Sequence, residues 1–351
     1  MTLEARSARR ERRDGRETLA FGGSDYLALA HEPELRRAFV DAAERYGISL
    51  AASRATSGTC EEHEALELEL AHFLGVEAAL VVSCGSLAND IACSALALRH
   101  ASAWAHARAH ASLADALAAR VGRVATFVDS TDVPIGAKLV AVDGVDPMPN
   151  RVAPLGELES RLAADGVLLV DEAHSLGVLG THGRGAASEL PRERLVLTGS
   201  FSKACGAVGG FVAGSRRLLD AAREQPAFVG STALSPALAA VARRALRLVA
   251  DGDALREKLF RHAERVRATV HELGFELGSD PFPVIALAFA TPERTAAVRA
   301  ALLEHGVAVP NVRYLGDGPQ GALRLTLNAA HEDADVDRLL AALRATLGSS
   351  R

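Results

Sequence analysis

The sequence predicts an α/β fold, a large domain on a mainly parallel sheet followed by a smaller C-terminal α+β domain. Three observations carry that prediction. Apolar runs at 78–83, 124–128, 138–142, 167–170, 195–198 and 211–213 alternate with stretches of helical spacing such as 61–73 and 155–164. The runs are apolar throughout rather than at every second position, as strands covered on both faces are. After Pro236 the pattern changes to one long helical stretch, 237–273, broken at Asp251-Gly252-Asp253.

Taken in order, the first fifteen residues, MTLEARSARRERRDG, mix charges of both signs and lack the apolar segment of a secretory signal, so they read as a solvated helix. Residues 1–45 are expected to pack with the small domain, 46–235 to form the large domain and 236–351 the small one. In the small domain a strand at Val284–Phe289, a helix at Pro292–His305, a strand at Ala322–Leu327 and a helix at Asp333–Leu347 follow the broken helix.

Composition narrows the function. The chain has 351 residues, 49% apolar and 24% charged, which suits a globular enzyme with a core and excludes a disordered chain. A net charge of −5 leaves no electrostatic footprint for nucleic acid or an anionic membrane. No apolar run reaches the length of a membrane span. Cys60, Cys84, Cys93 and Cys205 form no CxxC pair and no disulfide framework, so the cytoplasm is the expected location.

Of the 39 basic residues only Lys138, Lys203 and Lys258 are lysines. Where arginine supplies almost every cation, a retained lysine points to chemistry that a guanidinium cannot do, such as losing a proton and condensing with a carbonyl. Lys203 lies five residues beyond an apolar strand, next to Ser202 and before the glycine-rich stretch 206–210. Thr198, Ser200 and Ser202 add hydroxyls for a phosphate, and no GxxxxGK[ST] motif is present. Asp171 ends the apolar strand 167–170, where a carboxylate needs a cationic partner. The protonated ring nitrogen of a pyridine cofactor is one candidate, with His174 in reach of the same ligand, and a helix-capping aspartate beside a satisfied histidine is the other. Ser83, Gly85 and Ser86 form a turn into an apolar helix, whose exposed amides attract phosphate.

Together these segments resemble the α-oxoamine synthases, a family of pyridoxal-phosphate (PLP) enzymes with the fold-type I architecture. The resemblance runs in order through SDYLALAHEP from Ser24, ASRATSGTCEEHEALELELAHFLG from Ala52, CGSLAND from Cys84 and HASLADAL from His110. It continues through DEAHSLGVLGTHGRG from Asp171, TGSFSKACGAVGGFVAG from Thr198, STALSP from Ser231 and ALRLTLNAAHE from Ala322. It implies that Lys203 holds PLP as a Schiff base and later moves the Cα proton, and that Asp171 pairs with the pyridinium nitrogen. It further implies that His174 bonds the phenolic oxygen, His110 stacks on the ring, and Gly85, Ser86, Thr198 and Ser200 hold the phosphate. Ser231 and Thr232 would reach the phosphate of a neighbouring subunit, implying a homodimer with shared sites. Arg324, with Arg54, would bind the amino-acid substrate.

The implied reaction joins alanine, glycine or serine to an acyl thioester, either acyl-CoA or acyl carrier protein, with loss of carbon dioxide to give an α-amino ketone. Several segments depart from the family: DGVDPMPNR at 143–151 has a shortened acidic opener and Pro147 in place of a serine, Ser86 replaces an aromatic residue, and AHARA precedes His110. An aminotransferase or a β-hydroxy amino acid aldolase on the same fold, a secondary-metabolite synthase with another acyl donor, and a non-catalytic partner subunit are the competing readings.

Overall fold

The computed structural model describes residues 2–146, 151–278, 280–313 and 320–348. Along the chain come β1 (Leu3–Arg6), β2 (Arg10–Arg13), β3 (Arg16–Ala20), α1 (Pro33–Tyr46), α2 (Glu61–Leu74), β4 (Ala78–Val82), α3 (Gly85–Ala97), β5 (Ser102–His106), α4 (Ala111–Arg120), β6 (Arg123–Phe127) and β7 (Ala137–Asp143). There follow β8 (Val145–Asp146), β9 (Arg151–Val152), α5 (Leu155–Ser160), β10 (Leu162–Asp171), β11 (Leu195–Ser200), β12 (Gly210–Gly214), α6 (Arg216–Arg223), α7 (Pro226–Val229) and α8 (Pro236–Ala250). The chain closes with α9 (Asp253–Glu272), β13 (Val284–Ala288), α10 (Pro292–Glu304), β14 (Val307–Ala308), β15 (Asn311–Val312), β16 (Ala322–Thr326) and α11 (Asp333–Leu347).

Two compact units emerge, one of residues 32–146 with 152–252 and the other of 1–31, 147–151 and 253–351. The larger holds a seven-stranded sheet in the order β4-β12-β11-β10-β7-β5-β6. Only β12 runs against its neighbours. Leu168, Leu169 and Val170 of β10 are fully buried, which is why that run carries no polar alternation. Ile91, Ala92 and Leu96 of α3 pack on Leu80, Leu139, Leu169 and Val212 of the sheet, placing small residues where helix and strands approach.

The unit boundaries differ from the sequence expectation. Helices α1 and α8, assigned to the outer segments by sequence, belong to the larger unit because their apolar faces close on each other. Ala42, Ala237 and Ala240 form a buried cluster there, flanked by Phe39, Ala43 and Tyr46, and Arg244 pairs with Glu34. The break expected near 251–253 is where the units part.

The N-terminal helix expected from charge patterning is replaced by a hairpin. β2 and β3 pair antiparallel about Asp14-Gly15, both at positive φ (49° and 73°), the two-residue turn that matches strand twist. β3 pairs in turn with β14, so backbone hydrogen bonds with a distant strand override the local helical reading. Strand β5 was also not foreseen. Its sequence, SAWAH, is too polar to read as an apolar run, yet it lies between β6 and β7 with Ala103 and Ala105 buried.

In the smaller unit, His331 is fully buried and stacks on Phe21 at 4.4 Å between centroids. Its Nδ1 accepts from the Asn328 amide at 3.0 Å and its Nε2–H donates to the Ala20 carbonyl at 3.2 Å, so the neutral ring is fully satisfied. Burial lowers its pKa to about 4 from 6.5. In the larger unit a buried ion pair joins Arg54 to Glu67 at 2.9 Å, with the side chains 5% and 10% exposed. The same Glu67 oxygen accepts the Val81 amide at 2.9 Å, tying the 50s loop and α2 to the first strand of the sheet.

Two stability predictions follow from these groups. Arg54→Ala removes the buried cation from Glu67 Oε1 and leaves only the half-exposed Arg223 on Oε2 at 3.2 Å, lowering unfolding free energy by about 2 kcal/mol in urea denaturation; a change within about 0.5 kcal/mol would show the pair to be unimportant. Because folding depresses the His331 pKa, its contribution is present above pH 6.5 and lost as pH falls towards 4, up to about 3 kcal/mol. His331→Gln flattens that part of the stability–pH curve, whereas parallel curves for the two proteins would refute the assignment.

Candidate active site

The parallel strands of the larger unit end along one edge of the sheet, where α/β folds gather ligand-binding residues. Asp143 ends β7 and Asp171 ends β10, and the two are register partners on adjacent strands. Thr198 pairs with Asp171 in register on β11. Lys203 lies in the turn after β11, where its carbonyl accepts from the Gly206 amide at 2.8 Å. His110 caps α4 just beyond β5, and Gly85 opens α3 just beyond β4.

Asp171 is buried at 6% exposure, and both its oxygens accept hydrogen bonds: Oδ1 from the Ala173 amide at 2.8 Å and Oδ2 from Asn89 Nδ2 at 2.8 Å. Thr198 Oγ1 donates to Asn89 Oδ1 at 2.6 Å, which sets the amide's orientation. Asp143 Oδ2 accepts the His110 backbone N–H at 2.8 Å. Burial and the neighbouring Asp171 push the Asp143 carboxyl well above the usual range.

Glu172, fully buried, turns away from that edge. It accepts the amides of Ala186 and Ala187 at 2.8 Å each and the hydroxyl of Ser175, while burial raises its pKa. It ties the loop after His174 to the strand end. A Cβ at Gly185, which has φ +101°, would lie 2.6 Å from the Glu172 carboxyl carbon, so the loop approaches this closely only with glycine there.

The start of α3 suits a phosphate. Cys84 makes no side-chain cap, leaving the first amides of a 13-residue helix to attract an anion. Gly85 is held against Ser200, whose Cβ would stand 3.1 Å from an added Cβ, so a side chain at 85 would require Ser200 to shift by a few tenths of an ångström. Ser200 Oγ and Ser202 Oγ lie 2.6 Å apart, and Ser202 is exposed. Uncapped amides, the exposed Ser202 hydroxyl beside a Ser200 that donates to the Gly209 carbonyl at 3.0 Å, a buried acceptor carboxylate and a lysine on neighbouring strand ends fit PLP in both phosphate and ring.

The structure thus places Lys203, Asp171, His174, His110, Gly85, Ser86, Thr198 and Ser200 on the same sheet edge or the turns leaving it. Two expectations change. Thr198 is fully buried with its hydroxyl committed to Asn89, so it serves Asp171 rather than a phosphate. Arg54 is committed to Glu67, to Thr59 Oγ1 at 3.0 Å and to the Val81 carbonyl at 3.3 Å, which leaves it a strut rather than a substrate clamp. Ser231 donates to the Phe228 carbonyl at 3.1 Å, and Thr232 is exposed and bridges to Ser53.

Arg324 belongs to the smaller unit. It is 6% exposed, with Nη1 on the Gly23 carbonyl and Nη2 on Tyr26 Oη, both at 3.3 Å, and its Nε is buried without a hydrogen-bond partner among the described residues. The altered stretch Pro147–Asn150 lies outside the described residues. Asn89 and Ser112 were not singled out by sequence. The available signal was a lone amide on the buried face of an otherwise apolar helix, LANDIACSALA.

Residues 16–343 match the family model described as aminotransferase class I and II. An 8-amino-7-oxononanoate synthase from Marinobacter nauticus is 39% identical, covering 94% of this chain and 87% of that protein. One from Thioalkalivibrio sulfidiphilus is 36% identical over 99% of this chain and 93% of its own length. Among solved structures, serine palmitoyltransferase from S. paucimobilis superposes with a TM-score of 0.91 at 26% identity, covering 99% of this chain and 92% of that one. The enzyme from Sphingomonas wittichii does so with 0.89 at 29% identity, covering 97% and 90%. Shared sequence over nearly the whole length, together with a sheet edge that suits the cofactor, identifies the chain as a member of the α-oxoamine synthase family of PLP-dependent acyltransferases.

Proposed function

We propose that this enzyme condenses a small amino acid with an acyl thioester, releasing carbon dioxide and an α-amino ketone, with alanine as first choice of amino acid. The observation that supports this most strongly is the near full-length likeness to proteins named 8-amino-7-oxononanoate synthase. Bound PLP supplies an aldehyde carbon and an electron-withdrawing pyridinium ring.

The chain's residues do the rest. With PLP bound, Lys203 Nζ would tether it and, once the amino acid has taken its place, would take and return the proton at Cα. The Asp171 carboxylate, already supplied with two N–H donors, would accept a third from the ring nitrogen without reorganising. His110 would cover the ring, and His174 would bond the phenolic oxygen. The α3 amides, Gly85, Ser86 and Ser200 would hold the phosphate, and the planar fork of Arg324 is the group for the amino-acid carboxylate. The net change is a new bond from Cα to the acyl carbon, with the thiol and carbon dioxide as the leaving groups and a proton returned to Cα.

In this reading Ser231 and Thr232 complete the phosphate site of a second copy, giving a homodimer. The acyl donor is CoA-bound or carrier-bound, since both present the same thioester. Four free thiols suit a cytoplasmic location, and no described helix is long and apolar enough to cross a membrane.

Borohydride reduction of the PLP-loaded protein, followed by peptide mapping, places the label on Lys203, and Lys203→Ala carries none. A label on Lys138 or Lys258 refutes the assignment. Asp171→Asn retains the fold and lowers kcat about 10³-fold, since the amide cannot stabilise the ring charge. With alanine, glycine or serine, thiol release from acyl-CoA and acyl-carrier donors establishes the reaction. Formation of a keto acid from the amino acid alone, with no thioester required, favours an aminotransferase instead.

A further inference from the structure

Between Asp171 and His110 runs a continuous chain of polar contacts that the reaction scheme above leaves unused. Asn89, 1% exposed on α3, gives one Nδ2 hydrogen to Asp171 Oδ2 at 2.8 Å and the other to Ser112 Oγ at 3.0 Å. Ser112 Oγ lies 2.8 Å from His110 Nδ1, and the Ser112 amide also donates to that nitrogen at 3.2 Å.

The polarity of this chain is determined from one end. A carboxylate only accepts, so Asn89 must present its NH₂ to Asp171, and Thr198 on Asn89 Oδ1 enforces the same orientation. Ser112 Oγ therefore accepts from Asn89 and turns its own hydrogen towards His110. His110 Nδ1 accepts twice, which puts the ring proton on Nε2. The His110 backbone N–H is held independently by Asp143, so backbone and ring are set by separate contacts.

We propose that Asn89 and Ser112 are positioning residues that couple the charge on Asp171 to the tautomer and orientation of the His110 ring. The two groups that flank the cofactor ring then act as one unit. The inference rests on the roles proposed above for Asp171 and His110, and it assigns new roles only to Asn89 and Ser112.

The test is ¹⁵N NMR of the His110 ring in the full chain at about pH 8, before and after PLP is added. The wild type shows the Nε2–H tautomer. Asn89→Asp replaces the donor with an acceptor and turns the Ser112 hydroxyl away, so Nδ1 keeps only the Ser112 backbone N–H and its resonance shifts from the wild-type position. In Asn89→Asp/Ser112→Ala the effect of the Asn89 change on His110 disappears, because the link is gone. PLP dissociation constants rise about tenfold or more in Asn89→Asp, as expected for losing a charge-assisted hydrogen bond to Asp171.

A His110 spectrum unmoved by Asn89→Asp, or moved equally with Ser112 absent, overturns the proposal. Ser112→Ala alone, at a half-exposed position, keeps the test decisive if the Asn89 variants do not fold, since an unchanged Nδ1 resonance there overturns it too. The tautomer is read with or without PLP, so a wild type that takes up no cofactor would defeat the proposed function and leave this inference to be judged separately.

Discussion

A carboxylate at the mouth of a buried strand is the constraint around which the larger unit is organised. Asp171 is only 6% exposed, and a carboxylate so buried needs hydrogen-bond donors around it. Ala173, two residues on, supplies a backbone amide, and α3 supplies Asn89, which Thr198 of the adjacent strand orients. Sheet register brings the second carboxyl, Asp143, beside it, and burial together with Asp171 pushes the Asp143 carboxyl well above the usual range. Two ionised carboxylates on neighbouring strand ends would repel each other, which adds to the effect of burial in that shift.

The packing around that edge shows how little freedom the backbone retains. Glu172 turns inward and grips the loop that follows His174, and Gly185 allows the loop to approach within contact of the carboxyl. Gly85 lies close to Ser200 where α3 begins, and the helix start has no side-chain cap. Arg54 and Glu67 hold the preceding loop to β4 from behind. Each of these contacts spends a functional group on shape, which is why an arginine that looks like a substrate ligand in sequence is a strut in space.

Much of the fold was legible in the linear pattern. The uninterrupted apolar strands β4, β7 and β11, the break between α8 and α9, and α10 and α11 all lie close to where periodicity put them, because each depends on short-range spacing and on burial of a whole face, whereas β10 begins at Leu162, inside the stretch 155–164 read as helix. The failures share a cause. The N-terminal hairpin depends on pairing with β14, nearly 290 residues away, and β5 on its place between two other strands. The unit boundary depends on α1 meeting α8. None of these partnerships leaves a local trace.

By itself the sequence supplied the residue types, a lysine kept among arginines, an aspartate ending an apolar strand and a glycine turn before a helix, and in their order along the chain the family resemblance that implies the cofactor. Those are choices of residue type, and chemistry restricts them directly. Only the tertiary structure decided how each group is used. It turned Thr198 towards Asn89, engaged Arg54 with Glu67, set Asp143 beside Asp171 and linked Asp171 to His110 through Asn89 and Ser112. Hydrogen-bond direction and burial belong to neighbours in space, and those neighbours come from helices and strands far apart in the chain.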